Sequence, residues 1–175
     1  QIYNEPGNGR EIQGGSVFAQ SWYNVAQAIL AVNPNAHIGL QILSEEDLKA
    51  VIKVVGKDNA IWKNVWLAMH NYGAYGDNSV PPGQMPTKVD DIGFLTVVKW
   101  GELFQKYLGF VPPIIGTEGG WESKPAQGQS LPTSQEFAKN AQYVVDSFEI
   151  FRTGKLPNGQ DLPDWFFGHN PAFFL

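Results

Sequence analysis

Apolar residues along the chain form two kinds of run: short runs rich in β-branched residues, and longer runs with helical spacing. These patterns predict strands over residues 1–4, 37–43, 65–70, 112–117 and 164–168, and helices over 17–32, 44–55, 89–108 and 134–152. Two of the helices begin with a capping signal, Ser44 with Asp47 and Thr133 with Glu136. The chain therefore alternates strands with long helices.

This alternation predicts an α/β protein with parallel strands joined by right-handed crossovers. An open doubly wound sheet and a (β/α) barrel both fit the order. No strand is followed by a glycine-rich phosphate-binding motif, so a nucleotide-binding protein lacks support. A complete barrel has eight strands and about 250 residues. Five strands in 175 residues, the first at residue 1, predict the C-terminal part of a TIM barrel, roughly strands four to eight. A complete five-stranded α/β domain is the alternative.

Composition narrows the classes of partner. The formal net charge is −5 and the sequence has no cluster of Lys and Arg, which argues against a nucleic-acid partner. No apolar run approaches 20 residues, so no membrane span is predicted. The absence of Cys excludes disulfides and thiolate metal sites, and the three His residues lack the spacing of a metal site. No cofactor and no metal are predicted.

Polar and aromatic residues gather where the predicted strands end. Asn4-Glu5, His70-Asn71-Tyr72, Glu118 and Trp165 all occupy such positions. Because parallel α/β proteins place their sites at the carboxyl ends of strands, we expect these side chains to face one another. Two carboxyl groups in one site are what glycosidic-bond cleavage requires, one as proton donor and one as nucleophile or base.

With these residues in this order, the whole chain resembles glycoside hydrolase clan A, the retaining (β/α)8-barrel glycosidases such as cellulases and other β-glycanases. The resemblance implies that Glu5 is the acid/base and Glu118 the nucleophile. It also implies that Asn4 binds the substrate 2-hydroxyl and that Tyr72 donates a hydrogen bond to Glu118.

The remaining substrate-binding residues are His70, Trp121 and Trp165. His70 is expected to line the site, and Trp165 is expected, from the resemblance, to form the floor of the sugar site. Trp121 closely follows Glu118 and could form the wall of a subsite, while Glu122 is a fallback carboxylate.

The sequence thus predicts a single catalytic domain, residues 1–175, that cleaves β-linked glycosidic bonds in oligo- or polysaccharides by double displacement. The barrel interpretation implies that strands one to three come from a missing N-terminal half, so these residues alone are expected to show little activity. The family resemblance favours a secreted protein. The alternative function is a non-catalytic carbohydrate-binding or scaffold protein on a barrel-derived fold.

Overall fold

The computed structural model describes residues 1–7, 12–73, 79–89, 91–120 and 133–170. The helices are α1 (Ser16–Val32), α2 (Glu45–Val55), a 3-10 helix (Ala60–Asn64), α3 (Thr96–Leu108) and α4 (Ser134–Thr153). The strands are β1 (Ile38–Leu40), β2 (Val65–Tyr72), β3 (Ser79–Val80), β4 (Ile92–Gly93), β5 (Ile114–Gly120) and β6 (Phe166–His169).

The principal sheet is parallel and has the strand order β1-β2-β5-β6. Its register places Ile38 beside Val65 and Leu40 beside Leu67. A separate two-stranded parallel sheet joins β3 to β4. The expected α/β class with parallel strands is confirmed at this level. Among the described residues, no helix is both long enough and apolar enough to cross a membrane.

The chain divides into two compact units. Unit 1 comprises residues 1–69 and 101–115, and unit 2 comprises 70–100 and 116–175. In unit 1, α1 packs against α2 over a core that includes Phe18, Trp22, Leu40, Leu48 and Leu67. In unit 2, the rings of Phe94, Phe151 and Phe166 pack within 6 Å of one another, centroid to centroid. Phe94 and Phe166 are buried, and full burial of a Phe side chain contributes roughly 1.5–3 kcal/mol.

Both predicted capping signals are present. The Ser44 hydroxyl accepts the Asp47 N–H at 3.1 Å at the start of α2, and Thr133 accepts the Glu136 N–H at 3.3 Å at the start of α4. Gly56 and Gly154 lie just past the ends of these helices with positive φ, where a side chain would be strained. The local sequence therefore sets both ends of these helices.

Three predicted elements are corrected. Residues 1–4 form no strand, since the Gln1 side chain bonds to Tyr3 and Gln41 and the segment makes no strand ladder. The helix predicted over 89–108 begins only at Thr96.

The late start of α3 has a local cause. The buried Asp91 carboxylate accepts N–H groups from Thr87 at 2.5 Å and Lys88 at 3.0 Å, and the Asp91 carbonyl accepts the Thr96 hydroxyl at 2.6 Å. These bonds hold residues 87–91 in a turn, so Asp91 is not in the first turn of a helix. The third correction concerns the last strand, which runs over Phe166–His169 and not over 164–168.

Candidate active site

The carboxyl end of β2 presents His70, Asn71 and Tyr72. Successive side chains of a strand point to opposite faces, so His70 and Tyr72 share one face and Asn71 takes the other. The His70 and Tyr72 rings meet edge to face with centroids 5.9 Å apart. Tyr72 is half-buried, whereas the His70 side chain is only 6% exposed and Asn71 only 1%. The strand thus offers a polar aromatic pair on one side and a buried amide on the other.

Glu118, on β5, faces that aromatic pair. The Tyr72 hydroxyl donates a short hydrogen bond to Glu118 Oε2, as the resemblance implies. His70 Nε2 lies 3.2 Å from the other carboxylate oxygen, Oε1. The Glu118 side chain nevertheless remains 35% exposed. The carboxylate therefore accepts a hydrogen bond at one oxygen, has the His70 ring close to the other, and is still open to solvent.

Asn71 fixes the end of β2 from the opposite face. The side-chain Nδ2 of Asn71 donates to the Phe94 carbonyl at 3.1 Å. The main-chain carbonyl of Asn71 accepts the Tyr143 hydroxyl at 2.8 Å. Burial raises the pKa of Tyr143, so this phenol stays protonated and remains a donor. Because the Phe94 carbonyl can only accept, Asn71 Oδ1 is left as an acceptor and lies 3.3 Å from His169 Nδ1. Helix α4, strand β6 and the segment before α3 thus each contribute a partner of Asn71.

His169, at the end of β6, is a neutral imidazole. Since Asn71 Oδ1 accepts, the ring proton is on Nδ1, and Nε2 has no partner among the described residues although it is buried. The ring packs edge-on against Phe94, with centroids 4.8 Å apart. Burial lowers the pKa of His169 from 6.5 to about 4.

Acid is expected to destabilise the fold through His169. Below pH 6.5 the unfolded imidazole binds a proton, whereas the folded imidazole does so only near pH 4, so the unfolded state binds more protons in this window. The free energy of unfolding should fall by about 3 kcal/mol as the pH decreases through it. Denaturant titrations at several pH values measure this fall. The fall in the free energy of unfolding should be smaller in His169→Gln. It should persist in His37→Gln, which replaces an exposed histidine. An equal fall in the wild type and both variants would contradict the assignment.

Asn4 and Glu5 belong to unit 1 and lie in the segment that precedes α1. The Glu5 N–H donates to Gln41 Oε1 at 2.6 Å, and Asn4 Oδ1 accepts from Gln1 Nε2 at 3.3 Å. Glu5 is half-buried and has a positive φ of 45°. Gln41, directly after β1, is a residue that sequence reasoning missed. The available signal was a glutamine within the apolar run 38–43.

One of the predicted aromatic binding residues, Trp165, does not lie at the carboxyl end of its strand. Trp165 lies in the turn before β6, so it sits at the amino end of that strand and not at the carboxyl end, where His169 is. This position argues against Trp165 as the floor of a site at the carboxyl ends of the strands. Trp121 and the fallback carboxylate Glu122 fall outside the described residues.

His70 and Glu118 offer an imidazole nitrogen and a carboxylate oxygen to a cation, but the described residues of unit 2 supply no third ligand beside them. What the arrangement provides is a carboxylate oriented by a phenol and an imidazole. Comparison of the chain with family models, with curated proteins and with solved structures finds no match.

Proposed function

We propose that the protein is a retaining glycoside hydrolase that acts on β-linked oligo- or polysaccharides, with Glu118 as nucleophile and Glu5 as acid/base. The observation that carries this proposal is the carboxylate of Glu118 at the end of β5, bonded by the Tyr72 hydroxyl and approached by His70. The family resemblance of Asn4-Glu5 and His70-Asn71-Tyr72 supports the same assignment.

A nucleophilic carboxylate has two requirements. It must be oriented, so that one oxygen points along the line of attack, and it must be reachable by the substrate. Tyr72 and His70 approach the two oxygens of Glu118 from one strand, which restricts the rotation of the carboxylate. The 35% exposure of the side chain leaves a path for a sugar.

In the proposed reaction, a carboxylate oxygen of Glu118 attacks the anomeric carbon and forms a covalent glycosyl ester. The bond from that carbon to the leaving oxygen breaks, and Glu5 donates its proton to that oxygen. Glu5, now a carboxylate, takes a proton from water, and the water oxygen attacks the same carbon and displaces Glu118. Both residues return to their starting protonation states.

The proposal also assigns the finer fold and the binding residues. The principal sheet would provide strands five to eight of a (β/α)8 barrel, and the segment 1–4, which forms no strand, would precede them at the position of the fourth. Asn4 would bind the substrate 2-hydroxyl, and Trp121 would form the wall of a subsite. Trp165 is the floor of the sugar site only by resemblance, and its position before β6 does not favour that role.

The stereochemistry of hydrolysis tests this proposal. The full-length protein, incubated with β-1,4-linked glucan, mannan and xylan oligosaccharides, is expected to release products that initially have the β configuration, because two displacements restore it. Proton NMR of the anomeric signals during the first minutes of reaction makes the measurement. Initial α product would exclude the double displacement. Binding of the oligosaccharides without hydrolysis would instead support a carbohydrate-binding protein.

A further inference from the structure

Gln41 makes an unusual set of contacts within unit 1. The side chain is 2% exposed, directly after β1, and its Oε1 accepts both the Glu5 N–H at 2.6 Å and Gln1 Nε2 at 2.8 Å. A backbone N–H can only donate, so the atom facing Glu5 must be the oxygen, and the orientation of the amide is fixed. Gln41 Nε2 is then buried and has no hydrogen-bond partner among the described residues.

Glu5 needs such a contact because of its backbone. Its φ of 45° lies in the left-handed region, which glutamate rarely adopts. Residues keep this conformation only where their surroundings enforce it. The bond to Gln41 Oε1 is placed on the backbone N–H of the strained residue itself.

An apolar side chain at position 41 would avoid a buried donor without a partner, which costs free energy. The neighbouring positions are in fact apolar: Leu40 is fully buried and Ile42 is 1% exposed. A glutamine at this point is therefore not explained by packing. The bond to the Glu5 N–H explains it.

We propose that Gln41 is a positioning residue for Glu5: by accepting the Glu5 N–H it holds the left-handed backbone that sets the direction of the carboxyl side chain. The catalytic part of this inference rests on the proposed function, since it assumes that Glu5 is the acid/base. The backbone part is independent of any activity.

Amide hydrogen exchange tests the backbone part. In Gln41→Met the acceptor is lost at nearly constant volume, and the Glu5 amide should exchange at least about tenfold faster. Gln41→Glu keeps an acceptor oxygen and should retain most of the protection of the Glu5 amide from exchange. Gln105→Met, which replaces an exposed glutamine, should leave the exchange rate of the Glu5 amide unchanged. Should Gln41→Met not fold, Gln41→Asn withdraws the oxygen by one methylene and gives the same direction. An unchanged Glu5 exchange rate in the folded variants would overturn the proposal.

The dependence of kcat/KM on the leaving group of the substrate tests the catalytic part of the proposal. Because protonation matters little for a good leaving group, kcat/KM of Gln41→Met should fall roughly 10–100-fold on an oligosaccharide and stay within about twofold on the dinitrophenyl β-glycoside. Gln41→Glu should recover the oligosaccharide rate in large part. An equal loss on both substrates would indicate general disruption and overturn the catalytic part. If the full-length wild-type protein hydrolyses neither substrate while the exchange effect is present, the proposed function fails and the positioning of Glu5 by Gln41 stands.

Discussion

Glu118→Ala is expected to lower kcat on glycans by roughly 10⁴–10⁶-fold, the scale of loss seen when a covalent nucleophile is removed. Glu118 would supply the only oxygen that bonds to the anomeric carbon in the first displacement. Of its two described neighbours on β2, Tyr72 offers a hydroxyl and His70 an imidazole, and neither supplies a carboxylate in place of Glu118. Initial-rate assays of the full-length protein measure the loss.

Azide makes this prediction specific. In Glu118→Ala, azide can enter the space left by the carboxylate and attack the anomeric carbon of an activated β-glycoside, which gives the α-glycosyl azide by a single displacement. Rate recovery with inverted product identifies the missing group as the nucleophile. Glu149→Ala, on the exposed surface of α4, is the matched control and should hydrolyse at the wild-type rate. Activity of Glu118→Ala close to the wild-type rate would exclude the assignment.

The local sequence was sufficient to predict a helix start where interactions within one turn decide it. The starts of α2 and α4 were predicted because Ser44 and Thr133 cap within one turn, and such bonds involve residues three apart. The start of α3 was not predicted, because the carboxylate of Asp91 accepts N–H groups from Thr87 and Lys88 and holds a turn there. A helical pattern of apolar residues does not reveal that turn.

The candidate site divides in the same way. Tyr72 and Glu118 were predicted because strand ends can be read from an apolar run. The residues that hold the end of β2 and the Glu5 segment were not predicted as such: Asn71, His169 and Gln41 act through bonds between residues 23 to 98 positions apart. Such bonds depend on which elements become neighbours in the fold. The position of Trp165 has a simpler explanation: it is the second residue of the predicted strand 164–168 and lies just before the observed strand Phe166–His169, so both place it towards the amino end.

Gly119→Ala is expected to destabilise the protein by about 1–3 kcal/mol, the usual cost of forcing an extra methyl group into a packed site. A Cβ at this position would lie 2.1 Å from His169 Cε1, far inside van der Waals contact. The ring cannot move freely, because Phe94 packs against it and Asn71 bonds to it. The midpoint of thermal unfolding should fall by several degrees, given about 2–4 °C per kcal/mol at this size.

The matched control for Gly119→Ala is Gly168→Ala, where an added Cβ meets no atom within 4 Å. It should change the unfolding midpoint little. If the alanine at 119 pushes the His169 ring towards solvent, the burial that depresses the pKa of His169 is reduced, and the loss of stability in acid should be smaller in Gly119→Ala than in wild type. A destabilised variant that keeps the full acid sensitivity would show that the ring has not moved. Equal stability of the two variants would contradict the packing of His169 against β5, and with it the hold of His169 on Asn71 beside Tyr72.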